Sequence, residues 1–140
     1  KDTKAITVTG DLFKTDLSII KSVIRSNQKR NTLLTEKIKK ILSGKIKNKK
    51  ITFLGVTFKP NTDDMRGSSS LVMIPAFNKK GANIRYYDPT GEKKEFSNLR
   101  NVKYCKNITE ACKKTDLIIQ ITPTVVKDNI SGIPKSHEMM

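Results

Sequence analysis

Lys59 and Arg66 are the cations best placed to do chemistry in this chain, because both lie in one polar stretch, Gly55-Val-Thr-Phe-Lys-Pro-Asn-Thr-Asp-Asp-Met-Arg66. Before it, Ile51 to Leu54 reads as a buried strand; after Ser68 to Ser70, Leu71, Ile74 and Phe77 recur as one side of a helix. The order strand, loop, helix brings unpaired backbone N–H groups and the positive end of a helix dipole to the carboxyl edge of a sheet, where anions bind. A lysine there offers a compact donor to a nucleotide or sugar oxygen, and an arginine offers a planar fork to a phosphate or carboxylate. Taken locally, the same residues also fit plain turn chemistry. Gly55 and Pro60 punctuate a turn, Asp63 and Asp64 sit near a helix start, and the two cations are solvated. Neither Gly-x-Gly-x-x-Gly nor Gly-Lys-Ser/Thr accompanies them.

The other reactive residue types are sparse. Cys105 and Cys112 are seven positions apart with no Cys-x-x-Cys pair, and the single histidine, His137, stands in the tail. This is not a zinc pattern, and no metal is expected. Two cysteines without a secretory segment fit a reducing, cytoplasmic setting, and no apolar run is long enough to span a bilayer. The formal net charge of +15 raises nucleic acid as a partner, but only five of the 28 cationic residues are arginines. The lysines are spread among many Ile and Asn residues, so most of the charge reads as bias on solvated faces, and nucleic acid is disfavoured.

These candidates need elements to hold them. One domain with a real core fits in 140 residues, whereas two full Rossmann domains do not. Thr7 to Thr15 reads as loop. From Asp16, residues Ile20, Val23, Ile24, Asn27, Leu34, Ile38, Ile41 and Leu42 recur at helical spacing, predicting a helix over 16–42 of about 27 residues and about 40 Å, with Asp16 or Ser18 as N-cap and Ser43-Gly44 as stop. A basic linker follows. The strand at Ile51–Leu54, a helix over 69–80 disturbed by Pro75, a strand at Ile84–Tyr87, a short edge strand near Val102, a short helix from Ile108 and a strand over 116–122 complete the pattern. Asp88, in Tyr87-Asp88-Pro89, lies too far from Gly55 for a ribose-binding acid and reads as a turn residue. The alternation implies an α/β fold: a long N-terminal helix, then a small Rossmann-like three-layer domain with a mainly parallel, right-handed sheet. Divisions are expected at 1–44, 45–122 and 123–140, the last a divergent tail that leaves the sheet truncated at its C-terminal end.

The string from Gly55 to Arg66, with its following serines and the later Tyr87-Asp88-Pro89, closely resembles the signature of the UDP-glucose/GDP-mannose dehydrogenase family, in its C-terminal portion. The resemblance runs from Lys1 to about Thr122. It implies NAD as cofactor and the oxidation of UDP-glucose, or a related sugar nucleotide, to UDP-glucuronate through a cysteine nucleophile. By the same match Phe58 and Lys59 contact the UDP-sugar, Arg66 reaches the NAD site, and the helix over 16–42 builds a homodimer. Lys1-Asp2 matches the end of the family's Gly-Gly-x-Cys-Phe-Pro-Lys-Asp loop, making Lys1 a cofactor-side lysine and Asp2 the catalytic aspartate. The nucleophile falls outside this sequence, so the chain alone is expected to be inactive unless a separately encoded N-terminal half joins it. The alternative is a non-catalytic module that binds nucleotide or dimerises. Gly67 departs from the family's usually acidic or otherwise larger residue and, lying near the first helical turn, would cost about 0.5–1 kcal/mol relative to alanine.

Overall fold

The structure, a computed structural model, describes residues 6–9 and 12–122. Lys1, Asp2, Gly10, His137 and everything after Thr122 lie outside the described residues. The chain divides into two compact units, 1–43 and 44–140.

In the first unit, residues 6–9 are helical where a loop was expected, with the Phe13 N–H bonded to the Thr9 carbonyl at 3.1 Å. Helix α1 spans Ser18–Ile41, 24 residues. The Asp16 carboxylate accepts from the Ser18 N–H at 2.9 Å, and Ser43 and Gly44 end the helix with φ of 51° and 73°. Ile20, Ile24, Leu34, Thr35, Ile38 and Leu42 are the less exposed positions of one stripe. Val23, Asn27 and Ile41, expected in that stripe, are exposed, as are Ile19 and Leu33.

The second unit is a four-stranded, all-parallel sheet in the order β3-β2-β1-β4. Its strands are β1 (Lys50–Leu54), β2 (Asn83–Tyr87), β3 (Val102–Tyr104) and β4 (Leu117–Gln120). Helix α2 (Ser70–Lys79) joins β1 to β2, a 3-10 turn (Lys94–Phe96) lies between β2 and β3, and α3 (Ile108–Cys112) joins β3 to β4. β1 is largely apolar because it is flanked on both sides and covered on both faces: Ile51, Thr52, Phe53 and Leu54 are all buried.

Register assigns the faces. Thr52 is level with Arg85 and Ile118, and Leu54 with Tyr87. The Thr52 hydroxyl donates to the Ala111 carbonyl at 2.7 Å, Arg85 donates to the Lys113 carbonyl at 2.9 Å, and Leu54 packs with Cys105 and Ala111, so this face carries α3. The alternate residues Ile51, Phe53, Ile84 and Tyr86 turn to the opposite face, where right-handed crossovers lay α2 and the 3-10 turn. Tyr86 meets Phe96 edge-on at 5.3 Å and Tyr104 at 5.5 Å there. Pro75 sits inside α2 without ending it.

Two polar devices close the ends. Asn107 caps α3, accepting from the Glu110 N–H at 2.8 Å, while the Glu110 carboxylate takes the Lys106 N–H and Lys103 Nζ. At the amino ends of β1 and β4, Asp116 accepts from the Lys50 N–H at 2.8 Å and from Lys49 Nζ at 3.0 Å.

Candidate functional site

β1 ends at the carboxyl edge of the sheet, beside the point where the strand order reverses between β1 and β4; open α/β sheets bind ligands at such a crevice. The segment from Gly55 to Ser69 leaves from there. Gly55 turns with φ +68° and donates to the Tyr87 carbonyl at 2.9 Å. Val56 is fully buried, and its peptide pins the whole excursion. Its N–H donates to Asp88 Oδ2 at 2.8 Å, and its carbonyl accepts from the hydroxyls of Ser68, at 2.7 Å, and Ser70. The serine run is therefore a latch that returns the chain to where it left.

Within the excursion, the Phe58 N–H donates to the Asp64 carbonyl at 2.9 Å, and the Thr57 hydroxyl donates to the Lys59 carbonyl at 3.0 Å. Met65 is buried beneath, whereas Phe58, Lys59 and Arg66 face solvent. Lys59 Nζ stands 5.6 Å from the centroid of the Phe58 ring, a cation over an aromatic face. Arg66 is gripped by Asp64, its Nε and Nη2 each 2.8 Å from a carboxylate oxygen. These hydrogen bonds, and then the Asp64 charge, raise the Arg66 pKa above its already high ordinary value. The site thus presents an aromatic plane, one lysine beside it, and an arginine whose charge is partly answered within the loop. An exposed ring with an adjacent cation suits a base or sugar next to a phosphate.

Gly67 lies before helix α2, which begins at Ser70, at φ +81°, where an L side chain is strained; the glycine serves this turn and not only the helix start near which the sequence put it. A Cβ there would sit 3.7 Å from Phe58 Cδ2, so the glycine also leaves that side of the ring uncovered.

Of the residues singled out from the sequence, Phe58, Lys59 and Arg66 share this loop; Lys1 and Asp2 lie outside the described residues. The reading missed Asp88, Thr90 and Lys93. Asp88 is 2% exposed, and its Oδ1 accepts from both the Thr90 N–H, at 3.0 Å, and the Thr90 hydroxyl. Tyr87-Asp88-Pro89 at a strand end was the available signal. The cysteines are elsewhere: burial pushes both thiols up, the opposite of an activated nucleophile. Among the described residues no group of three His, Cys, Asp or Glu side chains could hold a metal, and no helix is long and apolar enough to cross a membrane. An open cleft of about 280 Å³ lies at the opposite edge, beside Arg85, Arg100 and Lys103. Arg85 and Lys103 are already engaged there by α3.

Residues 52–133 match the UDP binding domain of the UDP-glucose/GDP-mannose dehydrogenase family, a match that continues past Thr122. The chain is 34% identical over 124 residues to the UDP-glucose 6-dehydrogenase of Rickettsia felis, covering 87% of this chain and 28% of that protein. The UDP-glucose 6-dehydrogenase YwqF of Bacillus subtilis is 36% identical over 123 residues, again 87% of this chain and 28% of the relative. A solved UDP-glucose dehydrogenase from the hyperthermophilic archaeon Pyrobaculum islandicum superposes with a TM-score of 0.76 at 26% identity, over 87% of this chain and 28% of that one. The chain thus spans little more than a quarter of the length of these relatives.

Proposed function

The chain belongs to the UDP-glucose/GDP-mannose dehydrogenase family through its UDP binding domain, and from that premise we propose that the Gly55–Ser69 loop binds the UDP part of a UDP-sugar. One observation carries the reading: the loop is latched at Val56 from three directions while Phe58 and Lys59 stand exposed at its tip. Phe58 packs against the nucleotide and Lys59 donates to one of its oxygens. UDP-glucose is the sugar nucleotide favoured by the names of the relatives, and its oxidation to UDP-glucuronate is the reaction this domain serves.

That reaction needs NAD, and the described residues do not make a dinucleotide site by themselves. The turn after β1 lacks the glycine-rich approach to a pyrophosphate, and Arg66 is the one described side chain assigned to the cofactor side. Arg66 still carries N–H groups beyond the two given to Asp64. In this reading it faces a cofactor held by another part of a full-length enzyme, together with Lys1, while Asp2 assists hydrolysis of the covalent intermediate.

Titration calorimetry of the 140-residue chain with UDP tests the binding. Saturable heat is expected, and Lys59→Ala should weaken affinity about tenfold, the scale of one charge-assisted hydrogen bond. Absence of saturable heat with the folded chain overturns the reading.

A second reading, self-association through the helix over 16–42, is favoured by the exposure of Ile19, Leu33 and Ile41 on α1. Sedimentation equilibrium should return a dimer mass, and Ile19→Glu with Leu33→Glu should return the monomer. A monomer for the unmodified chain sinks this reading alone.

A further inference from the structure

Asp88 enters the reading above only as one of the three latches on Val56, and Thr90 and Lys93 not at all, yet Asp88 and Lys93 are the most deeply buried charges near the loop. The side chains of Lys93 and Asp88 are only 4% and 2% exposed, with Nζ 3.8 Å from Oδ1. A lysine this deeply buried is unfavourable unless it is paired and hydrogen-bonded. Lys93 Nζ donates to the Thr90 hydroxyl, which in turn donates to Asp88 Oδ1. We propose that Asp88, Thr90 and Lys93 form a positioning cluster that sets the shape of the nucleotide-binding loop without touching the nucleotide. The proposal rests on the UDP-binding reading.

The cluster reaches the loop at two places. Asp88 Oδ2 takes the Val56 N–H at the entry, and Thr90 Oγ1 comes within 3.5 Å of the Thr62 carbonyl farther along. Thr62 is itself engaged in loop structure, its hydroxyl accepting from the Asp64 N–H at 3.1 Å. Asp64 then holds Arg66 and, through its carbonyl, the Phe58 N–H. Arg66 and the Phe58 amide, which precedes Lys59, are thus referred back, through a few bonds, to the end of β2. The other end of the cluster is anchored in the core: the Lys93 N–H donates at 2.9 Å to the hydroxyl of Tyr86, whose ring is flanked by Phe96 and Tyr104. A packing role alone would be met by an apolar side chain at position 93. A lysine that reaches the carboxylate under Val56 instead fixes which oxygen the loop amide receives.

The test compares the full chain with Thr90→Val, Thr90→Ser, Asp88→Asn and Lys93→Met, reading amide hydrogen exchange without ligand and UDP affinity by calorimetry. Thr90→Val keeps the shape of a mostly exposed side chain, so it remains measurable if Asp88→Asn or Lys93→Met fails to fold. In Thr90→Val the Val56 and Phe58 amides should exchange about fivefold faster, the amides of β1 and β2 should be unchanged, and UDP affinity should fall about fivefold. Thr90→Ser, which restores the hydroxyl, should recover both. Unchanged exchange at Val56 and Phe58 in Thr90→Val overturns the cluster, whatever happens to binding. If the unmodified chain binds no UDP, the nucleotide reading falls and this proposal with it. The exchange data then separate that failure from a failure of the cluster itself.

Discussion

Gly67 shows how much a single position can decide in this loop. Its φ of +81° lies where a Cβ meets the backbone unfavourably, and it borders the Phe58 ring. Gly67→Ala should therefore destabilise the chain by about 1–2 kcal/mol, read as a lower midpoint in denaturant at an unchanged slope. An alanine variant as stable as the parent would mean that the turn re-forms with a negative φ. The sequence put this glycine only near a first helical turn, because three serines follow it and serine is equally at home as cap, first turn or loop. Only the contacts of Ser68 and Ser70 with the Val56 carbonyl tell that two of the three are latches. Phe58, Lys59 and Arg66 were readable because their type and crowding in one segment are local facts. Asp88 was not: its partner Val56 is 32 residues away, and a carboxylate beside a proline reads first as a turn. Lys93 was hidden for the same reason, since lysine in a polar connection gives no sign of burial.

The elements were easier to read than their ends. β1 declared itself by a short, largely apolar run, and β2 and β4 by largely apolar stretches close to the boundaries they adopt. Helix α1 was recognised by period, but its less exposed stripe omits Val23 and Ile41, because a 3.6-residue repeat accepts neighbours on either side of the true face. The joint between β1 and β4 supplies a test at this scale. The Lys50 N–H, and then Lys49, hold the Asp116 carboxyl below its ordinary value of 3.8. A carboxylate favoured in the folded state adds stability above its unfolded pKa, and loses it as pH falls through 3.8 towards the lower folded value. Asp116→Asn should thus melt below the parent at neutral pH, and the two curves should converge in acid. The gap will be modest, since the side chain is 37% exposed and solvent screens the pair. A constant gap across the range would show that Asp116 acts through its shape and not its charge.

At the scale of the whole molecule, 140 residues matching 28% of each relative are expected to bind without turning over. Incubated with NAD and UDP-glucose, the isolated chain should form no NADH above the buffer rate; NADH formation proportional to chain concentration would refute this. The sheet order carries a different consequence, one of timing. β1 is made first yet has neighbours on both sides, and its contact with β4 joins residues 66 positions apart. At about 5–20 residues per second, a ribosome leaves that second edge bare for roughly 3–13 s after β1 is made. For that interval Ile51–Leu54 is an apolar strand with an open edge, the kind that pairs with another copy of itself, and the late arrival of Leu117–Gln120 closes it.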